Sequence, residues 1–342
     1  MSEAAVLDRI VERIRQGESF LISSHVRLDG DAVACMLALD LLLRSMGKRT
    51  LVMTDGPVPE VFRFLPGAER VVSLEDTPDA AVPDDLDTVI VVDVADAARL
   101  GAVRSRLPDG CFTISIDHHR TGDLAADVDC CDPSASSTGE LLYRLFRHAD
   151  WEITPEVATH VYAAVMTDTQ RFSLPNTTAE ALRIAAEMVD RGADPGRIGD
   201  AVYRSHQPGQ LALWGEVAGR VRLDPDGRLA WTSLTEQMLT RHDVHADDTQ
   251  DFADIARMLS GVEVGVLFRE CAGGKGVRVS FRSNHIPVLP VAERFGGGGH
   301  ELACGCELDG SLEAVEKEVL DAVRELLAEA APAKGDSAPR DV

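Results

Sequence analysis

The chain has 342 residues, 45% of them hydrophobic and 27% charged, and this balance excludes collagen-like, disordered and coiled-coil proteins. A formal net charge of −23 argues against a basic groove for long duplex DNA. A small anionic substrate is compatible with this charge if metal ions or a local arginine cluster reverse the field at one site. The seven cysteines lack a paired zinc spacing, and the first residues predict an amphipathic helix rather than a signal peptide. We therefore expect a cytoplasmic protein with reduced thiols and no membrane contact.

The first half of the sequence alternates apolar strands with helices. FLISSH, RTLVMTD, TVIVVDV and CFTISID predict strands, and residues 32–46 predict a helix that Gly47 ends. The strands are short, continuously apolar and β-branched, which is typical of a parallel sheet with helices on both faces. Acids and histidines follow several of the strands, and open α/β sheets bind ligands at the carboxyl ends of their strands. The sequence therefore predicts an α/β domain whose loops meet at one edge.

The second half predicts a smaller α/β domain with a mixed sheet. LAWTSL, VEVGVLFRE and GVRVSFRS predict strands, residues 252–259 a helix, and residues 312–328 a closing helix. DRGADPG carries the glycine and proline of a break in regular structure. We expect a catalytic domain over 1–192, a helical linker over 193–218, a substrate-binding domain over 219–330 and a disordered tail over 331–342.

The segment SHVRLDGDAV places His25, Asp29 and Asp31 within seven positions, directly after the first strand. One interpretation is a solvated loop in which Asp31 caps the following helix. A cap accounts for one acid, however, whereas three potential ligands after one strand indicate a metal site. Clustered carboxylates need compensating charge, and a divalent cation supplies it.

Further acids and imidazoles follow in chain order. Asp93 ends VIVVD, Asp117 precedes His118 and His119, and Asp168 interrupts an Ala-rich helical stretch. Each has a structural alternative by itself, such as an arginine pair for Asp93 or a helix end for Asp168. Together they form a carboxylate and imidazole set without thiolate, which suits Mn²⁺ or Mg²⁺ better than structural zinc. Two such ions can clamp a phosphoryl oxygen and generate hydroxide near neutral pH.

The glycine-rich stretch FGGGGHELACG predicts an anion-binding loop in the second domain. Consecutive glycines let backbone N–H groups approach an anion, and we expect a following helix start to add a positive dipole. The residues in question are Gly297, Gly298, Gly299 and His300, together with Arg282 and Ser283 at a preceding strand end. Arg282 has the geometry to bind phosphate through two N–H groups. The alternatives are a flexible turn and a structural arginine–acid pair.

Asp117-His118-His119 forms a DHH triplet, and the chain resembles the DHH phosphoesterases over nearly its whole length. DPSASSTGELLYRLF, YAAVMTDTQRFSLPNTTAEAL and VSFRSNHIPVLPVAERFGGGGHELACG are most similar to the nanoRNase and pAp-phosphatase branch, the last of them in a DHH-associated domain. The chain departs from the usual pattern at four places: Leu28 replaces Pro, Ala34-Cys35 replaces Gly-Ser, Gln170 replaces Gly, and Cys304 replaces Ala. None of these changes removes a potential ligand.

The resemblance implies a role for each matching residue. His25, Asp29 and Asp93 would hold one Mn²⁺, and the set that would hold the other is Asp31, Asp93, His118 and Asp168. His119 would lie beside the scissile phosphate as an acid or charge stabiliser. Asp117 would orient the histidines. Mg²⁺ or Co²⁺ could replace Mn²⁺, and a homodimer through the first domain is expected from the family.

We expect a metal-dependent phosphodiesterase with its site in a cleft between the domains. It would hydrolyse short RNA to 5′-mononucleotides, with activity on pAp or on linear and cyclic dinucleotides as further expectations. The alternatives are an inorganic pyrophosphatase or exopolyphosphatase with the same two metal ions, and a non-catalytic nucleotide sensor.

Overall fold

A computed structural model describes residues 2–94, 96–108, 110–119, 122, 124–274 and 276–330. The chain forms two compact units, Met1–Ser205 and His206–Val342. The division falls within the segment predicted as the linker, and the segment 331–342 predicted as a disordered tail lies outside the described residues. None of the described helices combines the length and the hydropathy that a membrane span requires.

The first unit is built on a six-stranded sheet that is parallel throughout. In chain order its strands are β1 (Ser19–Ser23), β2 (Arg49–Thr54), β3 (Val72–Ser73), β4 (Thr88–Val92), β5 (Phe112–Asp117) and β6 (Val128–Cys131). Their spatial order is β3-β2-β1-β4-β5-β6. The four predicted strands are confirmed. β3 and β6 were not predicted, because they are two and four residues long and carry little apolar pattern.

The helices of the first unit are α1 (Glu3–Gln16), α2 (Gly30–Ser45), α3 (Thr138–His148), α4 (Pro155–Asp168), α5 (Ala179–Asp190) and α6 (Pro195–Tyr203). Successive β1 residues point to opposite faces, so Phe20 and Ile22 join the core with α1 to α5, whereas Leu21 joins a second cluster. That second cluster includes Leu100 and Val103 of the 3₁₀-helical segment Ala97–Arg106. Burial of both faces explains why these strands have continuous apolar sequences.

The second unit contains a six-stranded mixed sheet in the order β11-β12-β10-β9-β8-β7. Only β8 and β9 pair in parallel among its described strands, which are β7 (Arg222–Leu223), β8 (Leu229–Leu234), β9 (Val264–Glu270), β10 (Val277–Ser283), β11 (Gly298–Gly299) and β12 (Ala303–Leu308). Its helices are α7 (Pro208–Ala218), α8 (Glu236–His242), α9 (Leu289–Arg294) and α10 (Leu312–Glu329). The helix predicted over 252–259 is wrong, since this stretch forms 3₁₀ turns instead.

Candidate metal centre

Three neighbouring strands of the first unit bring the predicted ligands to one edge of the sheet. β1, β4 and β5 are adjacent and parallel, so their carboxyl ends coincide. His25 follows β1, Asp93 directly follows β4, and His118 directly follows β5. Asp31 lies in the first turn of α2, and Asp168 is the last residue of α4. Strand ends and helix ends therefore converge on one small region.

His25, Asp29 and Asp93 form one group of potential ligands. Nε2 of His25 lies 3.5 Å from Oδ2 of Asp29 and 3.4 Å from Oδ2 of Asp93. Nδ1 of His25 lies 2.8 Å from the carbonyl oxygen of Val26. Because a carbonyl oxygen only accepts, Nδ1 donates there, and the Nε2 of a neutral ring faces the two carboxylates with its lone pair.

Asp31, His118 and Asp168 form a second group, whose ligand atoms lie within 4.8 Å of one another. Nε2 of His118 is 3.6 Å from Oδ2 of Asp168 and 3.7 Å from Oδ1 of Asp93. Its Nδ1 lies 3.4 Å from the carbonyl oxygen of Ala135, which fixes the orientation of the ring. This pattern of one ring nitrogen on a carbonyl and the other facing acids is typical of metal-binding histidines.

Asp93 is shared between the two groups. Its Oδ2 faces His25, and its Oδ1 faces both His118 and His119. The backbone of Asp93 has a φ of 57°, a left-handed conformation that is uncommon for a non-glycine residue, and its N–H donates to the carbonyl of Ile116 on β5. Backbone strain at a buried acid, each of whose carboxylate oxygens faces a histidine, is typical of a functional position.

His119 and Asp117 form a separate pair at the rim of the centre. Nδ1 of His119 lies 2.7 Å from Oδ1 of Asp117 and 3.7 Å from Oδ1 of Asp93. These three residues form another cluster whose ligand atoms are close enough to hold a cation. Asp117 is buried, whereas His119 is half-buried and more accessible to a substrate.

Burial and mutual repulsion dominate the electrostatics of the carboxylates. Burial is the largest cause that raises the pKa values of Asp31 and Asp168 well above the usual range, and the negative charge of Asp93 is the second. Burial also opposes ionisation of Asp93, but hydrogen bonding to His25 and the charges of the histidines hold its pKa low. Burial would lower the pKa of His25, yet Asp29 and Asp93 raise it to about 10.

This donor set fits a divalent cation. It offers imidazole nitrogens and carboxylate oxygens, which suit Mn²⁺ or Mg²⁺. The buried carboxylates repel one another, and a cation would supply the missing positive charge and displace the proton that His25 otherwise holds.

The helix-cap alternative applies to Asp29 rather than to Asp31. Oδ1 of Asp29 accepts from the N–H of Ala32 and caps α2, which leaves Oδ2 directed at His25. Asp31 instead accepts hydrogen bonds from the N–H groups of Thr138 and Gly139 at the start of α3. One loop thus provides both a cap and potential ligands.

Sequence reasoning missed four residues that donate to the carboxylates. Thr138 and Gly139 bind Asp31, Cys35 donates its thiol hydrogen to Oδ1 of Asp31 at 3.2 Å, and Asn176 donates to Oδ2 of Asp168 at 3.3 Å. The Ser-x-x-Glu pattern at 137–140 signals a helix start. Nothing in the sequence pattern shows that this start meets Asp31, more than a hundred residues earlier.

The structure gives two of the family departures a physical context. Leu28 is buried in the main core of the first unit, and this packing holds the loop that carries Asp29 against the core. Gln170 has a φ of 44°, and the next two residues also have positive φ values of 62° and 61°. Glycine would adopt this conformation without the cost that a side chain adds.

Arg282 and Ser283 end β10 in the second unit, as predicted. The Arg282 side chain is half-buried, and burial lowers its pKa. Its Nη1 donates to the carbonyl of Phe281, while its buried Nε has no hydrogen-bond partner among the described residues. Asp254, at 4.0 Å, is the partner that a purely structural role would use. Ser283 is buried, and its hydroxyl accepts from the N–H of Ile286.

The glycine-rich stretch differs from the prediction, since no helix starts after it. Gly298 and Gly299 form β11 and pair with Cys304 and Gly305 of β12, so the expected helix dipole is wrong. A Cβ at Gly297 would lie 2.2 Å from the carbonyl oxygen of Gly305, and Gly299 has a φ of 134°. These two glycines therefore allow the close approach of two strands. Gly298 and His300 are exposed, and their predicted role in substrate binding stays a prediction.

Comparison with known proteins places this geometry in a family. Residues 19–165 match the model of the DHH family, N-terminal domain, and residues 232–329 match the DHHA1 domain. The chain is 34% identical over 312 residues to the bifunctional oligoribonuclease and PAP phosphatase NrnA of Thermus thermophilus, covering 90% of each protein. It is 27% identical to the Bacillus subtilis protein of the same name, covering 87% of this chain and 92% of that protein.

A solved structure has the same fold. The crystal structure of an exopolyphosphatase-related protein from Bacteroides fragilis superposes with a TM-score of 0.86 and 26% sequence identity, covering 95% of this chain and 98% of the other. The matched DHH domain contains all the acids and histidines of the centre except Asp168, which lies three residues beyond it. The chain thus belongs to the DHH family of phosphoesterases, the divalent-metal-dependent hydrolases that act on phosphoester bonds.

Proposed function

We propose that this protein is a manganese-dependent phosphodiesterase that hydrolyses short oligoribonucleotides to 5′-mononucleotides. The observation that carries the proposal is the position of Asp93, whose two oxygens face two separate groups of potential ligands. One cation would bind to His25, Asp29 and Asp93. The set for the other comprises Asp31, Asp93, His118 and Asp168. Mg²⁺ or Co²⁺ would be the substitutes.

The chemistry follows from the products. Release of a 5′-mononucleotide requires water to form a new bond to phosphorus while the bond from phosphorus to the 3′ oxygen breaks. The 3′ oxygen gains a proton and becomes a hydroxyl. Paired divalent cations would supply charge neutralisation at the phosphoryl oxygens and would lower the pKa of water.

The residues of the chain orient the reaction. Asp117 holds Nδ1 of His119 and orients the ring, which would contact the scissile phosphate and stabilise or protonate developing charge. Asp93 would hold both cations through its two oxygens. The strongly acidic chain favours a substrate with few phosphates, since a long polyanion would meet repulsion outside the centre.

The second unit would bind the far part of the substrate. Arg282 supports this assignment, because its Nε makes no hydrogen bond among the described residues, with Asp254 4.0 Å away, and the guanidinium could donate to a phosphate. Ser283, Gly297, Gly298, Gly299 and His300 complete the proposed substrate-binding set. The relatives named as PAP phosphatases support pAp as a second substrate, and hydrolysis of linear or cyclic dinucleotides would use the same centre.

The test is a competition assay with the purified full chain and Mn²⁺. Short RNA of two to five nucleotides, pAp, a cyclic dinucleotide and pyrophosphate are compared, with a chelator as the control. We expect chelator-sensitive release of 5′-mononucleotides from the RNA. Turnover of pyrophosphate alone would support an inorganic pyrophosphatase instead, and binding of nucleotides without turnover would support a sensor.

A further inference from the structure

Thr138 contacts two carboxylates of the metal centre at once. Its backbone N–H donates to Oδ2 of Asp31 at 2.7 Å, and its hydroxyl donates to Oδ1 of Asp93 at 3.1 Å. The side chain is fully buried. Asp31 belongs to α2 and Asp93 follows β4, so this one residue joins ligands from two different elements.

The start of α3 explains why Thr138 can hold Asp31. The first N–H groups of a helix have no acceptor within the helix, and the helix dipole favours a negative charge there. Thr138 and Gly139 direct their N–H groups at the two oxygens of Asp31, with the second distance 3.0 Å. A Cβ at Gly139 would lie 2.5 Å from Cβ of Ala164, so glycine lets α3 approach α4 closely.

The hydroxyl of Thr138 has a different effect, because it acts on Asp93. Asp93 uses Oδ2 toward His25 and Oδ1 toward His118. Rotation of the carboxylate would exchange or misdirect these two oxygens. A hydrogen bond from a buried hydroxyl to Oδ1 restricts that rotation, and the helix start restricts Asp31 in the same region. Thr138 therefore links Asp31 to Asp93, the carboxylate that faces both groups of potential ligands.

We propose that Thr138 is a positioning residue that fixes Asp31 and Asp93 relative to each other and so sets the affinity of the paired cation sites. This inference rests on the proposed function. The hydroxyl has no contact with substrate in this role and acts only through the carboxylates. Hydrogen-bond partners of metal ligands commonly contribute about 10- to 100-fold to metal affinity or activity.

The test compares three substitutions in the full chain. Thr138→Val keeps the shape and the backbone N–H but removes the hydroxyl, Thr138→Ala removes the hydroxyl in a smaller side chain, and Thr138→Ser restores it. Mn²⁺ binding is measured by calorimetric titration of the metal-free proteins. Circular dichroism and the thermal midpoint without metal report folding, and kcat and KM are measured across a range of Mn²⁺ concentrations.

We expect Mn²⁺ affinity of the valine and alanine variants to fall by about 10- to 100-fold, while the serine variant stays within about threefold of the wild type. Raising the Mn²⁺ concentration should restore much of the kcat that these two variants lose, while their KM for a dinucleotide stays unchanged. If the valine variant fails to fold, the alanine and serine pair gives the same comparison.

The inference and the proposed function fail separately. Wild-type Mn²⁺ affinity in both the valine and the alanine variant would overturn the role of Thr138 and leave the proposed function intact. A wild-type protein that binds Mn²⁺ but cleaves no short oligoribonucleotide would overturn the proposed function, while the affinity comparison would still decide the role of Thr138.

Discussion

Nδ1 of His119 lies 2.7 Å from Oδ1 of Asp117, two residues earlier at the end of β5. Burial by itself would lower the pKa of His119, but the hydrogen bond to Asp117 and the charge of Asp93 raise it above its ordinary value. The same contact fixes the orientation of the His119 ring at the rim of the candidate metal centre.

The first prediction tests this pair through Asp117→Asn and Asp117→Ala. Asparagine keeps an acceptor oxygen but loses the charge, whereas alanine loses both. We expect kcat to fall by about 10-fold in the first variant and about 100-fold in the second. Steady-state kinetics at saturating Mn²⁺ give these values. Calorimetric titration should show Mn²⁺ affinity within a few-fold of the wild type, and a collapse of affinity would make Asp117 a ligand instead.

The second prediction concerns the shared carboxylate. Asp93→Asn should lower kcat by more than about 10³-fold, because a neutral amide oxygen cannot neutralise two cations. The fold should persist, as judged by circular dichroism. Asp129→Asn is the matched control, since it makes the same chemical change on an exposed residue of β6. Activity of the Asp93 variant within a few-fold of the wild type would disprove the bridging role.

Much of the convergence of acids and histidines in the candidate metal centre was predictable because these residues lie at strand ends. Apolar runs such as VIVVD locate both the strand and the acid that follows it, and parallel strands bring such acids together. Thr138 was not predictable in its role, because its partner Asp31 is 107 positions away and no local pattern links them. Tertiary hydrogen bonds of this kind depend on the packing of α3 against the sheet edge.

The helix start expected after the glycine-rich stretch was wrong for another physical reason. Glycines are required both in anion-binding loops and where two backbones approach closely. β11 and β12 are short or rich in small residues, so ACGCEL gives little strand signal by apolar alternation. The contacts of Gly297 and Gly299 show that strand packing requires glycine at these positions, and their role in phosphate binding stays a prediction.

The third prediction tests substrate binding by Arg282. Arg282→Ala should raise KM for a dinucleotide by about 10-fold with kcat nearly unchanged, as expected for uniform binding of substrate and transition state. Arg282→Lys keeps the charge but loses the planar donor pair, and it should recover only part of the affinity. A fall in kcat at constant KM would instead place Arg282 in the transition state. An unchanged KM in both variants would leave Arg282 with the structural role near Asp254.

The fourth prediction uses the left-handed turn after Asp168. Gln170 has a φ of 44°, where a Cβ costs about 1 kcal/mol that glycine avoids. Gln170→Gly and Gln170→Ala both remove the side-chain contacts, so their difference isolates the backbone term. We expect the glycine variant to be more stable than the alanine variant by about 1 kcal/mol, measured by urea unfolding. Equal stability of the two variants would contradict the strained backbone.

The fifth prediction is a pH dependence that arises away from the metal centre, at His160 on α4. Nε2 of His160 donates to the carbonyl of Pro66, and its buried Nδ1 has no hydrogen-bond partner among the described residues. Burial lowers the pKa of His160 from 6.5 to about 4. The unfolded chain therefore binds a proton between these two values, while the folded chain does not. The free energy of unfolding therefore has its full value above about pH 6.5. It decreases as the pH falls toward 4, because protonation of His160 favours the unfolded chain.

The full contribution is up to about 3 kcal/mol, because one pKa unit corresponds to about 1.4 kcal/mol. His160→Gln keeps a donor for the carbonyl of Pro66 but does not titrate in this range. Urea unfolding of both proteins with a chelator, at pH values from 7 to 4, measures the difference, and the acids of the metal centre affect both proteins alike. We expect the wild type to lose stability relative to the variant as the pH falls. A difference that is constant with pH would mean that His160 has an ordinary pKa in the folded chain.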